Sequence, residues 1–214
     1  MKIVLFGANG GVGQLVMKYA AENGYELTPV VRENSKVNAL QGYKTVKTEI
    51  TADNKLLNEI IADADIVVST IGPALDMSRK KKGTPVSDGL KIIIGTMKKY
   101  EKKRLIIIGT PTLSGPDDQS NMLTILPKVM AKLLYPNAYM EMQEMSKMIQ
   151  NSTIDWTVVR FINPNLKITG SGYAYSLGDK SGKLGVSREN IAKFLVEEAL
   201  APKFIKKMPI IFNK

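Results

Sequence analysis

The sequence predicts an α/β fold: a doubly wound parallel sheet with helices on both faces, folded as a single domain across residues 1–214. Strand-length apolar runs alternate with segments of helical periodicity through most of the chain. Those runs carry few polar interruptions, as strands covered on both faces require. The first run leads straight into a glycine turn, Gly7-Ala-Asn-Gly10-Gly11-Val-Gly13, and from there into a helical pattern.

Lys2 to Phe6 reads as the first buried strand. Beyond the turn, Val12, Leu15, Val16, Tyr19 and Ala20 recur at helical spacing, which gives a helix one buried stripe, and Asn23-Gly24 stops it. Glu26 to Val31 is the second strand and Tyr43 to Thr48 the third. Residues 54–62 read as a short helix, and Ala64 to Thr70 as a buried strand ending at Ile71-Gly72-Pro73. Val86, Leu90, Ile93, Ile94 and Met97 mark the next helix, and Arg104 to Ile108 the strand after it. Helices over 122–134 and 138–151 are separated at Tyr135-Pro136. Asp155 to Arg160 is a strand, Ser187 to Leu200 a helix and Pro209 to Phe212 a closing strand. The methionines at 130, 140, 142, 145 and 148 fall at helical spacing and read as core filling, with a lining for a flat ligand as the alternative. Trp156, inside a strand pattern, reads as core.

Composition narrows the chemistry. A hydrophobic content of 44% with 23% charged residues is that of an ordinary globular domain. No apolar run approaches the ~18 residues that span a bilayer, so no membrane association is expected. Because Met1 to Phe6 reads as core rather than as a secretion signal, the expected location is cytoplasmic. Cysteine and histidine are both absent. Thiolate or imidazole metal sites, Ser–His–Asp hydrolysis and imidazole acid–base chemistry are thereby excluded, and no metal is expected. The net charge of +10 concentrates at Arg79 to Lys82 and at Lys98 to Arg104. Neither cluster sits in a recognisable nucleic-acid module. They read as a solvated loop and a helix C-terminus, where cations suit the dipole, rather than as a nucleic-acid surface.

The glycine turn points to a dinucleotide. Free N–H groups at a helix N-terminus converge on one spot and the helix dipole favours an anion there, while the glycines let backbone approach a diphosphate. Gly7, Asn9, Gly10, Gly11, Val12 and Gly13 are the residues assigned to it. Ligands of such sheets bind beyond the strand C-termini at the switch in strand order. That adds Arg32, Ser35 and Lys36; Glu49 and Ile50; Ser69, Thr70, Ile71 and Gly72; Gly109 and Thr110; and Phe161, Ile162 and Pro164. Loops 73–85, 110–121 and 161–186 are expected to form the substrate pocket. Arg32 stands where NAD-preferring proteins usually present an acid to the ribose, and its guanidinium suits a 2′-phosphate. NADP(H) is therefore expected over NAD(H), although Glu33 next to it could reach a ribose hydroxyl instead.

Gly7-x-x-Gly10-x-x-Gly13 with Arg32 resembles the atypical branch of the short-chain dehydrogenases. Within it the chain is similar to the NmrA-like NAD(P)H-binding proteins described as NADH-flavin reductases, relatives of the flavin/biliverdin-IXβ reductases. Asp65-Ile-Val-Val-Ser-Thr-Ile-Gly72, Arg104-Leu-Ile-Ile-Ile-Gly109, Ser152 to Arg160 and Gly182 to Ser187 carry the likeness along nearly the whole chain. It implies a Rossmann-type NAD(P)-binding fold and hydride transfer to a small planar acceptor, a quinone or a flavin such as FMN or FAD, by a monomer or homodimer. Conventional members use Tyr-x-x-x-Lys; here the corresponding helix reads Tyr139-Met-Glu-Met-Gln143. The literal match from Tyr43 to Lys47 lies in the third-strand region and reads as chance. Gly109-Thr110-Pro111 and Arg160-Phe161 also depart from the common pattern.

Carbonyl reduction creates an alkoxide that needs a positioned acid, whereas a conjugated acceptor spreads the charge and lets solvent supply the proton. The missing Lys therefore favours the flavin or quinone reading. Thr110 would orient nicotinamide or acceptor; Tyr139 would line the pocket or donate a hydrogen bond, unless it is a packed helix residue. Two alternatives stay open: a nucleotide-sensing regulator without turnover, and a sugar-nucleotide epimerase-like enzyme. The latter normally needs the Lys and a larger C-terminal domain.

Overall fold

The structure, a computed structural model, describes residues 1–37, 39–40, 42–77, 83–165 and 172–214. In chain order the first half runs β1 (Lys2–Phe6), α1 (Gly11–Glu22), β2 (Glu26–Val31), β3 (Ala39–Leu40), β4 (Tyr43–Lys44), β5 (Val46–Lys47), α2 (Lys55–Asp63), β6 (Ile66–Ser69) and α3 (Pro85–Lys99). The second half runs β7 (Arg104–Gly109), α4 (Met122–Leu134), α5 (Pro136–Gln150), β8 (Asp155–Arg160), β9 (Asn163–Asn165), β10 (Tyr173–Ser176), β11 (Gly185–Ser187), α6 (Arg188–Leu200) and β12 (Ile210–Asn213).

Eight strands form one sheet in the order β10-β12-β8-β7-β6-β1-β2-β5, parallel except for the antiparallel pair β10–β12. From β1 the chain moves outward through β2 to β5, then returns to place β6 on the other side of β1. That reversal opens a crevice beyond the C-terminal ends of β1 and β6. Val16, Met17 and Ala20 of α1 pack with Ile191, Phe194 and Leu195 of α6 on one face. Leu57 of α2, Ile93 and Met97 of α3, and Met145 and Ile149 of α5 fill the other. Burying a side chain such as Val16 or Met17, 1% and 0% exposed, contributes about 1.5–3 kcal/mol, so packing rather than propensity holds these short helices.

Several expectations need correction. The third strand is not continuous from Tyr43 to Thr48. Thr45 turns inward and its Oγ1 donates to the Val37 carbonyl, so β4 pairs with β3 in a hairpin and only β5 joins the main sheet beside β2. The segment 161–186 holds β9, β10 and β11 rather than loop alone. The five helix methionines divide: Met142 and Met145 are core, Met148 packs at its edge, and Met130 and Met140 are exposed. Trp156 is core, at 3% exposure. The cluster Arg79 to Lys82 lies outside the described residues. In the second cluster Lys98 and Lys99 do occupy the last turn of α3, but Arg104 is buried and pairs with Glu198 at 2.7 Å. Burial pulls the Arg104 guanidinium below its usual range, and the Glu198 carboxylate opposes that shift.

A second buried arginine ties the sheet to the loop after β7. Arg160, 0% exposed, donates to the carbonyls of Leu113 and Met208 and pairs with Asp118 at 2.7 Å. Removing one partner of a buried pair leaves the other charge uncompensated, at a cost of about 3–5 kcal/mol. Asp118→Ala is expected to lower stability by that amount in urea unfolding; an unchanged midpoint would show the pair to be dispensable.

Candidate functional site

The site begins at Gly7, which ends β1 in the left-handed region at φ +80°. Its carbonyl oxygen accepts from Gly10 N at 3.0 Å and from Thr70 Oγ1 at 3.1 Å. Thr70 Oγ1 also lies 3.1 Å from the Phe6 carbonyl, joining the end of β6 to the end of β1. Helix α1 starts against that carbonyl. A Cβ at Gly13 would lie 2.3 Å from Gly7 O and 2.9 Å from Ala8 Cα, so no side chain fits. A backbone this close, with Gly10 as an N-cap lacking any side-chain hydrogen bond and with no acid in the first turn, is a cradle suited to a diphosphate.

The structure places the other predicted residues as follows. Asn9, Gly10 and Gly11 are exposed at the turn, and Val12 packs against the α1–α6 core. Arg32 follows β2 and is exposed, and Ser35 N donates to its carbonyl at 2.9 Å. Ser35 Oγ accepts from Val37 N, and Lys36 is exposed. Glu49 reaches Glu33 N at 3.3 Å, which brings the ends of β2 and β5 together. Ile50 lies over Gly89 of α3 and, with Ser69, Ile71 and Val86, lines an apolar cavity of about 10 Å³. Gly72 is exposed, with nothing within 4 Å of where a Cβ would stand. Phe161 is 7% exposed and belongs to the α1-side core. Half-buried Ile162 follows it, and Pro164 pairs with Val186 in the small β9–β11 sheet. A cleft of about 530 Å³ between α2 and α3, lined by Asp53, Asn58, Asp88 and Lys91 among others, includes none of these residues.

Thr110 and Tyr139 come from neighbouring elements. Thr110 Oγ1 lies 3.3 Å from Met142 Sδ of α5 and 3.3 Å from Thr112 N. Tyr139 is half-buried on α5, and its hydroxyl has no hydrogen-bond partner among the described residues. Four residues on, Gln143 donates through Nε2 to the Thr112 carbonyl at 2.7 Å. The position that holds lysine in conventional relatives here pins the loop after β7.

Two residues of this region escaped the sequence analysis. Glu141, 6% exposed on α5, accepts from Val86 N and Ser87 N at 2.7 and 3.0 Å and so caps α3 from outside. Arg188, the first residue of α6, lays its guanidinium over Gly11. In each case the partner lies far along the chain, so local spacing gives no signal.

Among the described residues no group of His, Cys, Asp or Glu side chains is arranged to hold a metal ion, and no helix is long and apolar enough to cross a membrane.

A mostly parallel sheet that reverses at β1, with an uncapped glycine turn at the reversal, defines a Rossmann-type nucleotide-binding protein. The chain belongs to the NAD(P)H-binding family, whose sequence profile matches residues 7–202. It is 28% identical over 175 residues to the Bacillus subtilis protein YwnB, covering 80% of this chain and 78% of YwnB. A Streptococcus pneumoniae protein proposed to be an NADH-flavin reductase shares the fold over 100% of both chains, at a TM-score of 0.75 and 18% identity. A Veillonella parvula short-chain dehydrogenase/reductase, solved in complex with NADP, aligns over 98% of this chain and 93% of its own, at a TM-score of 0.74 and 14% identity.

The clash at Gly13 gives a direct test. Gly13→Ala is expected to cost about 1–3 kcal/mol by overpacking backbone, and to weaken NADPH binding with it. Gly95→Ala, in α3 with open space around the new methyl, should instead stabilise by about 1 kcal/mol. Calorimetric melting with NADPH titration reads both, and equal behaviour of the two variants would discredit the cradle.

Proposed function

We propose that this protein is an NAD(P)H-dependent reductase that passes hydride to a planar conjugated acceptor, a flavin or a quinone. The observation that carries the reading is Gln143: the residue that would tune Tyr139 as an acid is an amide bonded to the Thr112 carbonyl. With glutamine in place of the lysine four residues on, Tyr139 lacks the partner that conventional carbonyl reduction uses, whereas a flavin or quinone needs no such acid.

The residues fit the coenzyme. Gly7 to Gly13 would hold the diphosphate on backbone N–H groups, and Arg32 with Ser35 and Lys36 would meet a 2′-phosphate. Glu49, Ile50 and Ser69 to Gly72 would flank the adenosine half, and Gly109 and Thr110 the nicotinamide end. Bound NADPH supplies the hydride. The protein's own contribution is to bind, align a flat acceptor and exclude water. Of the pocket loops, 110–121 is held in place: Gln143 fixes Thr112, while Ser146 and Gln150 both donate to the Ser114 carbonyl, at 3.1 and 2.9 Å. Loops 73–85 and 161–186 would complete the pocket.

NADPH oxidation with FMN, riboflavin and a quinone in turn tests this reading. Turnover with at least one is expected; tight coenzyme binding without turnover would favour a nucleotide-sensing regulator, for which an unassisted Tyr139 is also adequate. Tyr139→Phe should lower turnover less than about tenfold, and a loss of about a hundredfold or more would make Tyr139 an essential acid. Arg32→Ala should raise the Kd for NADPH at least about tenfold and leave that for NADH nearly unaltered. Tighter binding of NADH than NADPH by the unaltered protein would refute the NADP(H) preference.

A further inference from the structure

We propose that Arg188 is an anion-binding residue of the dinucleotide site, its guanidinium reaching from α6 to hold the diphosphate alongside the N–H groups of α1. The inference rests on the coenzyme reading above and adds a residue from the far end of the chain.

Position comes first. Gly11 is the first residue of α1 and Arg188 the first residue of α6. A Cβ built on Gly11 would lie 2.5 Å from Arg188 Nη1, 3.2 Å from Cζ and 3.4 Å from Cδ. The side chain thus lies flat across the opening turn of α1, in the space a methyl group would fill.

Two local choices here run against ordinary preference. The first is the cation. Arg188 stands at the positive end of its own helix and over the positive end of α1, and each placement opposes a helix dipole. No carboxylate among the described residues forms an ion pair or hydrogen bond with it. The second is the glycine. The first turn of a helix has no need of positive φ, and Gly11 adopts none. Alanine would suit the helix better. A single anion between the guanidinium and the free amides explains both, because it turns the opposed dipoles into partners and makes the missing methyl a requirement.

The diphosphate is the anion that fits. Arg188 reaches the N-terminus of α1, where a diphosphate would lie, whereas Arg32 at the end of β2 is placed for a 2′-phosphate. The two arginines therefore divide the charges of the coenzyme, and only Arg32 distinguishes NADPH from NADH.

Titration calorimetry with NADPH, NADH and ADP-ribose on the full chain separates the outcomes. Arg188→Ala should raise all three Kd values by a similar factor, about tenfold to a hundredfold, without lowering the melting temperature of the ligand-free protein. Arg188→Lys should recover part of the loss. Gly11→Ala should leave the fold as stable or more so and weaken binding by displacing the guanidinium; in the Arg188→Ala background it should add little further loss. A loss confined to NADPH, or an unchanged affinity in Arg188→Ala, would overturn the assignment of Arg188 alone. An unaltered protein that binds none of the three would overturn both this and the coenzyme reading.

Discussion

The carbonyl oxygen of Gly7 is the point at which β1, α1 and β6 meet. It accepts the Gly10 N–H that forms the turn and the Thr70 hydroxyl that ties in the neighbouring strand, and it leaves no room for a side chain at Gly13. Strand order, helix direction and glycine spacing are thus three expressions of one close approach. If α1 were set back by the width of a methyl group, its N–H groups would leave the crevice in which we propose that the diphosphate lies. The same contact explains why the turn is spaced as it is, with glycines at the positive φ, at the cap and at the collision point.

Around that fixed point α5 serves as a scaffold for the loop after β7. Gln143, Ser146 and Gln150 sit on α5 and all bond to carbonyls of the loop after β7, while Arg160 of β8 holds the same loop through the Leu113 carbonyl and Asp118. A helix that elsewhere in the superfamily supplies a tuned tyrosine is here committed to holding backbone. On the function proposed above, α5 would position the acceptor rather than transfer a proton, which is the division of labour a conjugated acceptor permits.

The fold was legible because its signals are local. Apolar runs and helical stripes located the six helices and the strands β1, β2, β6, β7, β8 and β12, while the edge strand β10 went unseen; Gly7, Gly10 and Gly13 stood at their required spacing. Elements of two or three residues, such as β3, β4 and β9, are too short to show a period, so the hairpin and the small β9–β11 pair went unseen. Partner choice was equally invisible. Arg104 sat in a run of lysines that reads as solvated, yet its carboxylate partner Glu198 stands 94 residues away. Glu141 caps a helix more than 50 positions earlier in the chain, and nothing in Tyr139-Met-Glu-Met-Gln143 says so. Sequence periodicity reports which face is buried; it does not report which charge meets which.

The helix N-termini show how far electrostatics can locate a site once contacts are known. Asn54 caps α2, Asn121 and Thr124 form a capping box on α4, and Ser187 with Glu189 serves α6. Glu141 reaches over from α5 to cap α3, and α5 itself opens on Pro136, which removes a donor. Each of these ends is met by a group of the protein or has one fewer donor to satisfy. α1 has a glycine cap, no acid in its first turn and an arginine laid across it. Left alone, that arrangement would concentrate positive charge where helix stability is most sensitive to it. The proposed diphosphate would supply the one partner that this helix end lacks, which agrees with the chain's membership of an NAD(P)H-binding family.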